Sequence, residues 1–204
     1  MIAYKLKTTI EFHDTSIPVS VPFDAVLRFY DLQNEDIDGQ DKIDIALEMF
    51  IPERWFQWVR RLSPAERDEL LKLIYANFIL IESKKASSDD RLCDFAQDAT
   101  FIYSSFLMDY GIDLIEQQGI LDWRKFIALF QGLSERTKIR EVMSIRARKI
   151  PAPTKYNADE IKALAELKAY YALTLSEKEK KANFQSGLDR LGANLEGMAR
   201  NIKK

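Results

Sequence analysis

Cysteine and histidine are almost missing from this chain. Its 204 residues include one of each, Cys93 and His13. One thiol cannot form an intrachain disulfide. One thiol and one imidazole fall well short of a structural zinc site, which takes four such ligands. A hydrolytic triad would need His13 beside a nucleophile and a carboxylate, and nothing near it in sequence suggests those partners. Glycine and proline are also scarce, at 7 and 6 residues, which argues against long irregular loops or many tight turns. The phosphate-cradling patterns G-x-x-x-x-G-K-[ST] and G-x-G-x-x-G do not occur. The most apolar run, 70–81, is too short to span a bilayer and contains Lys72 and Asn77. The first residues, Met1-Ile-Ala-Tyr-Lys, lack the continuous apolar core of a secretion signal. The expectation is a protein of the cytoplasm without a membrane partner, cofactor or metal.

What is present is ordinary globular material, 47% hydrophobic and 30% charged, with a net charge of −2. Basic and acidic residues are intermixed, which makes nucleic acid an unfavoured partner. Charge is nonetheless uneven. Residues 1–150 hold 20 Lys/Arg against 25 Asp/Glu, whereas 151–204 hold 10 against 7. A mildly basic tail thus follows an acidic body.

Periodicity then divides the chain. Over 2–21, Ile2, Tyr4, Leu6 and Thr8 alternate with small or charged residues, and Ile17-Pro-Val-Ser-Val follows, predicting a short strand pair or hairpin. Pro18 and Pro22 exclude a central strand. From Phe23 the spacing is helical, with Phe23, Val26, Leu27 and Tyr30 on one face, then Ile43, Ala46, Leu47 and Phe50 on the next. Pro52 ends that helix. Ser63-Pro-Ala-Glu66 reads as a capping box with proline at the first helical position, opening a central helix that runs to Ile81. A polar loop, 83–90, leads to a helix predicted over 93–110 and stopped by Gly111. Asp122 caps a helix with Trp123, Phe126, Ile127 and Phe130 inside, and 138–150 forms another that ends on a basic run.

Pro151-Ala-Pro-Thr marks the boundary. The prediction is a helical domain with N-terminal strands over 1–150, a proline-containing linker over 151–156, and a C-terminal helical extension over 157–204, opened by a box-like cap at Asn157. Beyond Ala182 the apolar positions narrow to Phe184, Leu188, Leu191, Leu195 and Met198. This heptad-like seam cannot bury itself and is weakened by Gly187, Gly192 and Gly197. The fold class is mainly α, a multi-helix globular domain with a short β pair and a helical extension.

Candidate chemistry is thin. Cys93 reads as a small core residue. Asp94 and Asp98, four apart, would share a helix face as solvated or capping carboxylates. Trp123 reads as core. Candidate protein-binding residues are Trp55 and Trp58 with Arg60 and Arg61, since aromatic and arginine side chains are enriched at interfaces. Phe130, the basic residues Arg146, Arg148 and Lys149, and the seam residues Phe184, Leu188, Leu191 and Leu195 complete the set. The seam would serve self-association or cargo contact.

One ordered series of segments carries more. Asp94-Phe-Ala-Gln-Asp98-Ala is followed by Ile102-Tyr-Ser-Ser-Phe106, Tyr110-Gly-Ile-Asp113-Leu, Leu121-Asp-Trp123-Arg-Lys-Phe126, Leu129-Phe-Gln-Gly-Leu133, Thr137 and Ile145-Arg146. The series, over about residues 40–150, resembles a family of tail-assembly-chaperone-like proteins of long-tailed phages and prophages of Gram-positive bacteria. The resemblance implies a non-enzymatic helical factor that coats the tape-measure protein in the host cytoplasm until tail tube protein replaces it, and that is absent from the mature virion. The competing reading is a small regulatory or DNA-associated binding protein of a phage or prophage, for which 136–149 would be the recognition helix.

Overall fold

The computed structural model describes residues 5–80 and 91–174. Among them the order is β1 (Thr9–Phe12), β2 (Thr15–Pro18), α1 (Phe23–Leu32), α2 (Gly39–Phe50), α3 (Glu53–Val59), α4 (Pro64–Ile74), a π turn (Tyr75–Ile79), α5 (Ala99–Tyr110), α6 (Trp123–Gln131), α7 (Lys138–Ala147) and α8 (Ala158–Tyr170). The chain is mainly helical with a small N-terminal hairpin, as its periodicity predicts. The polar loop 83–90 and the seam residues Phe184, Leu188, Leu191, Leu195 and Met198 lie outside the described residues.

The hairpin forms later than the alternation suggests. Its antiparallel register pairs Thr9 with Pro18 and Phe12 with Thr15, around a two-residue turn at His13 and Asp14, both at positive φ. Ile10, Phe12 and Ile17 turn inward while Thr9, Glu11 and Ser16 face water. Two strands alone are marginal, so the next residues fasten the pair to the helices. The Ser20 amide donates to the Phe50 carbonyl at 2.9 Å, and the Trp123 amide donates to the Val21 carbonyl at 2.8 Å.

Helix α1 is rotated from its expected face. Phe29 is buried, and Tyr30 is 37% exposed. Phe29 meets the ring of Phe50 at 5.5 Å, across α2. The Asp38 side chain caps α2 by accepting from the Gln40 amide at 2.7 Å. The capping box of α4 is complete: the Ser63 amide donates to Glu66 Oε2 at 2.7 Å, and the Glu66 amide donates to Ser63 Oγ at 3.3 Å.

The long helix expected after Ser63 does not run unbroken. It passes at Tyr75 into the π turn, where the Leu80 amide reaches the Tyr75 carbonyl at 2.8 Å. An inserted residue of this kind resets the helical phase. That explains an apolar pattern spread over more than one side: Leu70 and Ile74 are buried on α4, then Phe78 and Ile79 on the π turn. The Ile79 carbonyl is left to accept the buried Trp123 Nε1 at 3.0 Å. Trp123 is 4% exposed, so the structure places it in the core.

Phe126 on α6 organises that core. Its ring stacks on Phe23 at 4.9 Å, Phe106 at 5.1 Å and Trp123 at 5.7 Å. Gly111 ends α5 at φ 64°, a left-handed cap that a side chain would strain. The Asn157 cap differs from expectation. Its side chain turns back, accepting from the Thr154 amide at 2.6 Å and donating to the Ala152 carbonyl at 3.0 Å, and it caps no amide of α8.

Candidate protein-binding surfaces

Helix α5 starts at Ala99, six residues later than the periodicity suggests, because Asp94 holds the preceding residues in a tight turn. Its Oδ1 accepts from the amides of Ala96 at 2.9 Å and Gln97 at 2.7 Å. Asp98 then lies inside the protein, 1% exposed. Its carboxylate takes two bonds from Arg146 of α7, at 2.6 and 2.8 Å, and a third from the Asp94 amide at 2.9 Å. Of the two roles their spacing suggested, solvated face or cap, Asp94 takes the capping one, and Asp98 takes neither but is buried in an ion pair.

Arg146 is correspondingly enclosed, with 7% of its side chain exposed. Its remaining N–H groups donate to the carbonyls of Leu92 at 2.9 Å and Tyr171 at 2.6 Å. One guanidinium thus ties together α7, the 91–98 turn and the end of α8. Burial raises the Asp98 pKa, and the Arg146 hydrogen bonds and charge outweigh it, so the carboxyl is held below its usual range. Burial and the neighbouring Asp98 push the Cys93 thiol up to about 12. Cys93, expected as a small core residue, is a half-buried thiol beside this pair.

The start of the predicted extension packs onto the body. Lys168 of α8 donates to the carbonyls of Ile145, Arg146 and Arg148, which end α7. Leu164 is buried, and the ring of Tyr171 meets Phe101 of α5 at 6.0 Å.

Three surfaces collect the binding candidates. The first is α3. Trp55 and Trp58 are half-buried against the core, with Trp58 edge-on to Phe12 at 6.5 Å. Arg60 lies instead over Phe56, 4.9 Å from the ring centre, and its guanidinium reaches Glu48 at 3.5 Å. Phe56, Arg60 and Glu48 line a cavity of about 370 Å³ with Ile51 and Glu53, and neither tryptophan is among its lining residues. Arg61 is exposed. Phe56 belongs to this surface, although the sequence drew attention to the tryptophans.

The second surface is the basic end of α7. Arg148 and Lys149 are exposed there, whereas Arg146 is the buried anchor described above.

The third is a groove that periodicity did not reveal. A mainly apolar cavity of about 160 Å³ lies between α1 and α5, among Leu27, Ile102, Tyr103 and Ile115. It shares Leu27 and Phe95 with a second cavity of about 520 Å³ that reaches Tyr30, Asp31 and Asn34. Leu27 and Phe95 carry the same hydrophobic signal as core residues, so spacing cannot separate a groove wall from an interior. Phe130 sits behind the groove, half-buried at 5.5 Å from Phe95.

Among the described residues, no group of three or more His, Cys, Asp or Glu is arranged to hold a metal, and no helix is long and apolar enough to cross a membrane. A mainly helical protein with its polar residues turned to capping, ion pairs and surface clefts is the class that these features define. The chain belongs to the Bacteriophage Gp15 protein family, whose model matches residues 2–173. It is thus a member of a phage protein family, and the match takes in α8 as well as the body. No curated protein and no solved structure matches the chain.

Proposed function

We propose that this protein is a non-enzymatic tail assembly chaperone that binds the tape-measure protein and keeps it soluble during tail morphogenesis, in the host cytoplasm and outside the finished virion. Membership of a phage protein family over residues 2–173 carries this reading. The surface is consistent with it. A tape-measure chain is long, helical and partly apolar, and a coat for it must bind many times, modestly and reversibly. The half-buried aromatic and arginine face of α3 and the apolar groove beside α1 are shallow, open surfaces of the kind an amphipathic helix can lie against.

The regulatory or DNA-associated reading leans on 136–149 as a basic recognition helix. Within it, Arg140 pairs with Glu135 at 2.6 Å, Lys138 with Glu141 at 3.0 Å, and Arg146 with Asp98. Three of the six cations of this stretch are thus engaged with carboxylates, and one of the three, Arg146, is buried away from any phosphate.

Co-expression with the tape-measure protein of the same gene cluster, followed by size-exclusion chromatography with light scattering, tests the proposal. Many copies eluting with one soluble cargo chain is the expected result. Cargo left in the pellet, with this protein eluting alone, would overturn it.

A further inference from the structure

A further cleft, of about 570 Å³, lies where residues 5–8, 19–22 and 120–125 meet. Hydrogen bonds to the backbone hold its walls together. The Val19 amide donates to the Thr8 carbonyl at 2.8 Å, the Phe23 amide donates to the Leu121 carbonyl at 2.9 Å, and Arg124 Nη2 donates to the Lys7 carbonyl at 3.0 Å. Much of the lining is apolar. Val19 and Val21 are buried, Leu6 and Pro22 are half-buried, and Ile120 is 72% exposed.

The charged residues among the described lining are Lys5, Asp122 and Lys125. Asp122 is already engaged, accepting from Arg124 Nε at 2.9 Å and Nη2 at 2.7 Å. Lys5 and Lys125 are exposed, and neither is paired with a carboxylate. The other clefts differ on this point. Arg60 in the α3 cavity faces Glu48 at 3.5 Å, and Arg91 in the larger cavity beside α1 faces Asp94 at 2.6 Å. Residues 1–150 as a whole are acidic, with 20 Lys/Arg against 25 Asp/Glu. An uncompensated positive cleft on such a body selects locally for a negatively charged partner.

We propose that this cleft docks acidic segments of the tape-measure protein, with apolar side chains against Leu6, Val21 and Ile120 and carboxylates at Lys5 and Lys125. The choice of cargo rests on the function proposed above, and the chemistry of the segment rests on the cleft. A nucleic acid would satisfy the lysines but would set its charged backbone against an apolar lining. Exposed lysines act more on encounter and on the choice of segment than on final affinity, and salt screens them. Such contacts suit a coat that must later be released.

The test measures, by fluorescence anisotropy, binding of the purified full chain to overlapping labelled peptides that span the tape-measure protein. Acidic peptides that also carry apolar residues are expected to bind, and to bind more weakly as salt is raised. Lys5→Glu with Lys125→Glu should weaken them about tenfold at low salt. Ile120→Ser should weaken them severalfold. The melting temperature should stay unchanged in both variants, since all three side chains are exposed. Binding of basic or neutral peptides only, absence of binding, or indifference to the charge reversal would overturn the proposal. So would a dimer that the charge reversal dissolves, which assigns the cleft to a second copy, or lysine-dependent binding of duplex DNA in place of the peptides. Co-expression separates this claim from the chaperone reading. Cargo kept soluble equally by the wild type and the charge-reversed protein overturns the docking site alone. Cargo left in the pellet by the wild type, with acidic peptides still bound through the lysines, overturns the chaperone reading alone.

Discussion

Replacing Asp98 with alanine leaves the Arg146 guanidinium charged, almost fully buried, and short of the two hydrogen bonds it makes at 2.6 and 2.8 Å. Breaking one side of a buried pair costs about 3–5 kcal/mol, because the surviving charge keeps its desolvation penalty and loses its compensation. The lower part of that range, about 3 kcal/mol, applies here because Arg146 retains the Leu92 and Tyr171 carbonyls. The loss should appear in urea unfolding followed by tryptophan fluorescence, since Trp123 lies 5.9 Å from the ring of Phe95 on the turn that Asp98 closes. Replacing both partners, Asp98→Leu with Arg146→Met, should recover much of the loss. Acid sensitivity gives a second readout. The folded-state pKa of Asp98 is lowered, so the unfolded chain binds the proton more readily. The stability that Asp98 contributes is complete above the unfolded value of about 3.9 and is lost as pH falls through the lower folded value. Asp98→Asn should therefore flatten the acid limb of the stability curve. A cost below about 1 kcal/mol for Asp98→Ala, the range of an exposed pair, would refute the reasoning.

Other expectations are more local. Ser63→Ala removes the acceptor of the Glu66 amide and should cost about 1 kcal/mol in thermal or urea unfolding. Gly111→Ala meets no atom within 4 Å, so its cost should be the backbone term alone, about 1–2 kcal/mol for a left-handed residue, read by the same unfolding assay. Cys93, with its thiol pushed up to about 12, should react with maleimide at neutral pH roughly a thousandfold more slowly than an exposed cysteine, and unfolding in urea should abolish the difference. Arg60→Ala should reduce recovery of soluble tape-measure protein on co-expression while shifting the melting temperature little, since Arg60 is exposed. Unchanged recovery would remove α3 from the binding surface.

Local chemistry wrote much of the fold into the sequence. Ser63-Pro-Ala-Glu66 forms its box because both partners lie within four residues, and Asp122 and Gly111 bound their helices for the same reason. Trp123 and Phe126 were legible as core because helical spacing puts them on one face of α6. Where the reading failed, a distant group competed with a local pattern. Tyr30 gave way to Phe29 because Phe50 and Tyr75 fill the space beside α1. The helix expected from Cys93 starts at Ala99 because Asp94 holds the preceding residues in a turn, and that turn delivers Asp98 inward to Arg146, 48 residues away.

The sequence by itself determined a helical protein with a short hairpin, its main caps and stops, and the poverty of His and Cys that narrows its chemistry. These properties depend on composition and on neighbours within one or two turns. Only the tertiary structure decided that Arg146 is an anchor and not a surface cation, that α8 joins the body, and that Leu27 and Phe95 wall a groove. Each depends on which side chains meet across tens of residues, where burial makes a charge pair or an apolar wall count and spacing along the chain carries no record of the meeting.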